Sequence, residues 1–376
     1  MTKRVAKLVF LVVAILAGVV LWQKTQLELL ALSRIDPVPQ AQALVDAGHY
    51  AEAADYMAFF MDYSYVSADP AAQRLAEEIA AVRGSTEYRA QKIGEGLLAG
   101  TSDESLGQIA GVVTDFFVIG DIRDLTWQAL NWSRGEDVDE VVAALSAIGL
   151  AATGAQVLSA GTASPIKGGV ALLKLAKKMG KLPAWLGRYV VNAAQSVKRT
   201  RDLKGVSGVF VDVSKLARHA GIKNGLHLLE QTKNAGSLKR MAAFSKVFGN
   251  NSAMVHRLGG AAALQASKRA DTLGPKTIQR ASTYGPDGVR ALNKAGKARF
   301  IKYTSRAGKV AYKGDLTQVL TRFLAGLPNW ALVLVMALGT LLALPRSVRR
   351  LLGRRRRPAR QSIKEAEVAA DATPAS

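Results

Sequence analysis

The chain has 376 residues, enough for one large domain or two modest ones. It contains no cysteine, which excludes disulfides, thiolate metal sites and cysteine nucleophiles. Aromatic residues are only 6% of a chain that is 49% hydrophobic with a net charge of +22, so an all-α fold built on small-residue helix packing is expected rather than a β-sandwich.

The first predicted element is the apolar run Leu8 to Trp22, preceded by Lys3, Arg4 and Lys7. Basic residues ahead of an apolar core are the export-signal pattern. Fifteen helical residues span about 22 Å, against a hydrocarbon core of about 30 Å. Val5, Ala6 and a snorkelling Lys7 extend it. Ala31-Leu32-Ser33 is a small-x-small cleavage site, but it lies far downstream, so residues 1–24 are read as an uncleaved signal anchor.

From Thr25 to Leu150 there are 7 basic and 20 acidic residues; from Ala151 to Arg322 there are 31 basic and 6 acidic. The interior thus divides into an acidic helical region, 25–150, and a basic region of short helices, 151–322. The two halves either serve different partners or face each other.

Residues 39–82 read as a helical hairpin turning at Gly48, followed by a second helix that starts at Asp69-Pro70 and stops before Gly84. The Gly48-His49-Tyr50-x-x-Ala53 core is similar to half of a tetratricopeptide repeat and does not recur. Further on, Asp121 and Asp124 are spaced to cap the helix DLTWQALNW, and Asp121, Arg123 and Asp124 form a candidate polar cluster. A second acidic start, Glu136 to Glu140, suits the positive end of a helix dipole.

Val141 to Ile166 carries no charge over 26 residues. Ala147, Ala151, Ala155 and Ser159 form a small-xxx-small ladder suited to close helix approach. Three states are open to this stretch: a packed core hairpin, a membrane-inserted hairpin, or a span. Gly149, Gly154, Gly161 and Pro165 interrupt it, which favours two short helices. A third span would also put the two basic ends of the chain on opposite sides of the membrane.

Beyond Lys167 the chain reads as short amphipathic helices ending at Gly221, Gly236, Gly249 and Gly296, each with Lys or Arg nearby. A nucleic-acid partner is not expected, because aromatic stacking platforms are sparse there. Phe323 to Leu344 is an uncharged 22-residue segment edged by Trp330, with Pro328 expected in its first turn, and is read as a C-terminal transmembrane helix. Residues 345–376 form a basic tail. Arg346, Arg349, Arg350, Arg354, Arg355, Arg356, Arg357 and Arg360 are candidate contacts for anionic lipid headgroups. Basic flanks on both terminal segments predict cytoplasmic termini and a central domain outside the cytoplasm, in the periplasm of a Gram-negative cell.

No metal-ligand, phosphate-loop or nucleophile-elbow motif occurs, so no catalytic, cofactor or metal site is expected. His227 and Glu230 lie one helical turn apart and read as helix-surface residues.

The run from Asp115 to Leu182 resembles segments of uncharacterised bacterial inner-membrane helical proteins. Residues 115–181 are also similar to pre-toxin linkers of polymorphic toxins, through the Gly120-Asp121-x-x-Asp124 step, Gly135-Glu136 and the Lys-rich helix after a small-residue hairpin. No toxin domain follows in this chain. The resemblance implies a bacterial source more than an activity. The two terminal anchors and the lack of catalytic motifs lead to the expectation of a non-enzymatic inner-membrane protein whose helical domain contacts an envelope protein or the membrane surface. The alternative is a membrane-active, pore-forming or toxin-like protein that inserts the 141–166 hairpin.

Overall fold

Residues 2–99, 139–158, 164–200, 202–310 and 323–343 are described by the computed structural model of the chain. Among them all regular structure is helical and there is no strand, in agreement with the all-α expectation. The chain divides into two compact units: Met1–Ala31 with Ile301–Ser376, and Leu32–Phe300.

In the first unit, α1 runs from Thr2 to Leu30. It outlasts the apolar run because residues 23–30 contain no Gly or Pro to stop it. Among the described residues α1 is the one helix long and apolar enough to cross a membrane. The expected 22-residue C-terminal helix is not continuous. Residues 323–326 are helical, and the chain breaks at Leu327 and Pro328. Proline lacks an N–H and disfavours helical geometry in the residue before it. Pro328 therefore precedes the last described helix rather than sitting in its first turn, and its carbonyl accepts from the N–H groups of Ala331 and Leu332. That helix covers Asn329–Ala343, 15 residues or about 22 Å. The arginines from Arg346 to Arg360 lie outside the described residues.

The second unit begins with α2 (Val38–Asp46), α3 (Tyr50–Met61), the single turn α4 (Ser64–Ser67), α5 (Pro70–Gly84) and α6 (Thr86–Ala99). Gly48 turns the chain between α2 and α3 with φ 74°, as its position predicts. Asp69 caps α5 by accepting from the N–H of Ala71. Gly84 ends α5 from within instead of following it. Leu44, Tyr56, Phe60, Leu75 and Ile79 close this small core.

Next come α7 (Glu140–Leu158), α8 (Ser164–Lys178), α9 (Ala184–Thr200) and α10 (Lys204–Glu230). Asp139 Oδ1 accepts from the N–H groups of Val141 and Val142, so part of the acidic start is a true cap. Asp121, Arg123, Asp124, Glu136 and Asp137 lie outside the described residues. α7 packs on α8 and α9, and α8 packs on α10. The buried face of α7 is Ala144, Leu145, Ile148 and Ala152. Of the expected ladder, Ala147 is exposed and Ala151 half-exposed, so this part of the row is not the main contact; the side chains of Ala155 and Ser159 lie outside the described residues. Leu145 and Ile148 bury more apolar area than an alanine row, which rotates that row outward. Gly149 and Gly154 sit inside α7 without breaking it; Pro165 does mark the start of α8.

Close approach occurs instead at Gly169 on α8. A Cβ built there would lie 2.2 Å from the Phe210 carbonyl oxygen, so the two helices meet backbone to backbone. The array continues through α11 (Ala235–Phe248), α12 (Ser252–Ser267), α13 (Ala270–Leu273), α14 (Pro275–Ser282), α15 (Gly285–Ala295) and α16 (Lys297–Val310). Helical geometry is interrupted at Gly221, and Gly249 and Gly296 cap α11 and α15, as their spacing predicts. Gly236 does not end a helix. Asn234 and Ser237 form a reciprocal capping box, which places Gly236 in the first turn of α11.

Candidate functional site

We label the helix Asn329–Ala343 α17. It pairs with α1 in an antiparallel hairpin. Lys24 reaches Leu327 and Asn329, Gly18 faces Met336, and Gly339 faces Phe10 and Ala14. As one number rises the other falls by a similar amount, which fixes the direction. A Cβ on Gly339 would lie 2.8 Å from the Phe10 carbonyl oxygen and 2.9 Å from Ala14 Cβ. Ala14, Ala17, Leu332 and Gly339 are buried.

The outward side of this pair is apolar. Leu8 is 64% exposed, Trp22 86% and Trp330 70%, and further large hydrophobic side chains from Val5 onward on α1 and up to Leu342 on α17 are exposed too. Trp22 and Trp330 belong to the same end of the hairpin. At that end the Lys24 ammonium donates to the Leu327 carbonyl at 2.5 Å and to Asn329 Oδ1 at 2.6 Å.

Within the second unit, the chain ahead of α2 is strapped to the loop before α15. Ile35 N–H donates to the Thr283 carbonyl at 2.8 Å, and Arg34 Nε donates to the Tyr284 hydroxyl at 2.9 Å. The Arg34 guanidinium lies 4.6 Å from the Tyr65 ring centre and 5.6 Å from that of Tyr284. Tyr65 in turn donates to the Ile35 carbonyl at 3.0 Å, and burial pushes its phenol well above the usual tyrosine range.

A polar cleft of about 410 Å³ opens between α3, α10 and α12. Glu52 and Asp55, one turn apart on α3, line one side. Lys223 and His227, one turn apart on α10, line the second, and His256 and Arg257 on α12 line the third. The non-helical Gly221 lies two residues before Lys223 and re-aims this part of α10. Lys223 pairs with Asp55 at 2.7 Å and Arg257 with Glu52 at 2.5 Å. Arg257 also stacks 5.4 Å from the Tyr56 ring centre.

Burial lowers the His227 imidazole below the ordinary histidine range, assisted by Lys181 and opposed by Glu52 and Glu230. Burial alone does the same to His256, which meets the edge of Phe244 at 6.0 Å. Both rings are thus held neutral near pH 7. The lining offers charge, amide and imidazole groups but no hydroxyl or thiol nucleophile. It is equipped to hold a polar group or to sense protons.

His227 and Glu230, singled out as a spacing in the sequence, come together electrostatically, but His227 is half-buried in the cleft rather than on an open helix face. Among the described residues no three His, Asp or Glu side chains group to hold a metal ion. The cleft itself escapes sequence reading because Glu52 and Arg257 are separated by 205 positions. Its one local trace is the repeated one-turn spacing of ionisable residues. No family model, no curated protein and no solved structure matches this chain.

Proposed function

We propose that this is a non-enzymatic integral membrane protein of a bacterial inner membrane. α1 and α17 cross the bilayer as an antiparallel hairpin whose basic ends, near Lys7 and after Ala343, face the cytoplasm. The unit Leu32–Phe300 stands on the periplasmic side and contacts an envelope protein or the membrane surface.

The observation that supports this most is the confinement of exposed large hydrophobic side chains. Among the described residues they occur on α1, α16 and residues 323–343, and none lies within Leu32–Phe300. An apolar surface of this kind is stable in lipid and unstable in water. The uncharged stretch of α1 between Lys7 and Lys24 and the 15 residues of α17 have closely matched lengths. Both fall short of about 30 Å of hydrocarbon, and snorkelling by the flanking lysines makes up part of the difference. Trp22 and Trp330 at one end suit an interfacial belt.

The alternative, insertion of residues 141–166, has less support. The large apolar side chains of α7, Leu145 and Ile148, are fully buried in the helical array, and insertion would require unpacking them.

Topology is testable because the natural chain has no cysteine. Single variants S33C and A261C, both at exposed positions, should react with an impermeant maleimide in intact spheroplasts, and S362C only after lysis. Labelling of S362C from outside would overturn the two-crossing arrangement. Release of the protein by alkaline carbonate would overturn the membrane reading altogether.

A further inference from the structure

We propose that the face formed by α10 and α11, carrying Lys215, Arg218, His219, Lys239, Arg240 and Lys246, is a docking surface for the anionic phospholipid headgroups of a bilayer. This rests on the membrane reading and names the partner of one surface of the second unit.

α11 has three cationic side chains and no carboxylate. Leu238, Met241, Ala242, Phe244, Ser245 and Phe248 turn inward, which leaves Lys239, Arg240, Ala243 and Lys246 on the outer face. Ala243, between these cations in sequence, is exposed and small. α10 lies alongside α11 and adds Lys215, Arg218 and His219, at helical positions that share a side.

The two contributions converge on one imidazole. His219 is held below the ordinary histidine range by burial first, then by Arg218, Lys246 and Lys215. Cations from two helices therefore crowd a single spot. Among the described residues, the ion pair on this face is Lys215 with Asp212 at 2.8 Å. Like-charge crowding is unfavourable in the free protein and is relieved when anions settle over it.

Charge alone does not choose the anion, but the shape of the face does. The aromatic residues Phe210, Phe244 and Phe248 are buried, so no ring is presented for stacking nucleic-acid bases. The cations come from two neighbouring helices, and Arg218, Lys239, Arg240 and Lys246 are exposed to solvent rather than enclosed around a free phosphate. A sheet of headgroups suits such an open cationic face.

The full-length protein carrying A243C, labelled with an environment-sensitive fluorophore, is reconstituted into phosphatidylcholine vesicles with and without phosphatidylglycerol. Phosphatidylglycerol should shift the emission to the blue and cut iodide quenching several-fold, and high salt should reverse both. K239E/K246E, which alters only exposed side chains and should leave the far-ultraviolet circular dichroism unchanged, should abolish the response. Equal quenching in the two vesicles, or a response that survives K239E/K246E, overturns the docking surface while leaving the hairpin intact. An equal response to inorganic phosphate in neutral vesicles overturns lipid as the ligand. Failure to float with either vesicle overturns the membrane reading itself.

Discussion

The ammonium of Lys24 donates to the carbonyl oxygen of Leu327, the residue at which the helix ahead of α17 is broken. Pro328 follows and has no N–H, so one backbone donor is missing from this turn. Lys24 supplies three. A charged side chain near the end of an apolar helix is thereby tied to the exposed polar backbone of its partner, and the hairpin is closed at its tryptophan end.

Gly339 is the tightest point of that hairpin. In a background with no native cysteine, G18C/M336C should be bridged readily by a short bifunctional thiol reagent, since the helices approach there, with a Gly18 Cβ 3.5 Å from Met336 Sδ. Adding G339L should suppress the bridging, because overpacking at a 2.8 Å gap costs about 1–3 kcal/mol. Undiminished crosslinking in the G339L protein, read on a non-reducing gel, would refute the packing described.

Gly168 and Gly169 provide an internal comparison. G169A forces a methyl group to within 2.2 Å of the Phe210 carbonyl, where only backbone movement relieves it. G168A meets the Ser214 hydroxyl at 3.0 Å, and that side chain can rotate. Thermal unfolding should show G169A destabilised by about 1–3 kcal/mol and G168A by clearly less. Equal effects would mean that α8 and α10 do not cross at Gly169.

The two ion pairs of the cleft are partly exposed, so each should contribute little. A double-mutant cycle on Glu52 and Arg257 is expected to give a coupling of about 0–1 kcal/mol, reduced in high salt. A coupling of about 3 kcal/mol or more, the range of a buried pair, would contradict the exposure of both side chains.

His227 and His256 set a pH dependence whose sign is fixed. Both have folded-state values depressed below the ordinary 6.5, so the unfolded chain binds the protons more readily. Their stabilising contribution is complete above pH 6.5. It declines as pH falls through that value toward the lower folded-state values. The unfolding temperature should therefore drop between about pH 7 and pH 5, and H227Q/H256Q should flatten that slope. A slope unchanged in the double variant would assign the effect to other groups.

Local features were legible in the sequence. Gly48, Asp69-Pro70, Asp139, Gly249 and Gly296 act where their spacing puts them, because turns and caps depend on a few neighbouring residues. Gly236 ends no helix because a stronger local signal, the capping box of Asn234 and Ser237, starts one there. The Ala147 ladder failed for another reason: which face of an apolar helix turns inward is decided by larger side chains and by helices elsewhere in the chain. The split of charge left open whether the two halves serve different partners or face each other. Some of their groups do meet: Glu52 with Arg257, Asp55 with Lys223 and Asp139 with Lys177. The cleft was invisible because its three walls are contiguous only after folding.

The antiparallel hairpin joins residues made at very different moments. Lys24 and Asn329 are separated by 305 positions. At about 5–20 residues per second, Lys24 waits roughly 15–60 s before its acceptor has been synthesised. In the proposed membrane setting, α1 enters the bilayer as a solitary helix, and the unit Leu32–Phe300 is synthesised, delivered and folded while Gly18 and Ala14 still face lipid. Closure of the hairpin is then the final event of biogenesis. A defect at Gly339 would be felt late, in a protein already inserted and largely folded, as failure to complete assembly and not as failure to reach the membrane.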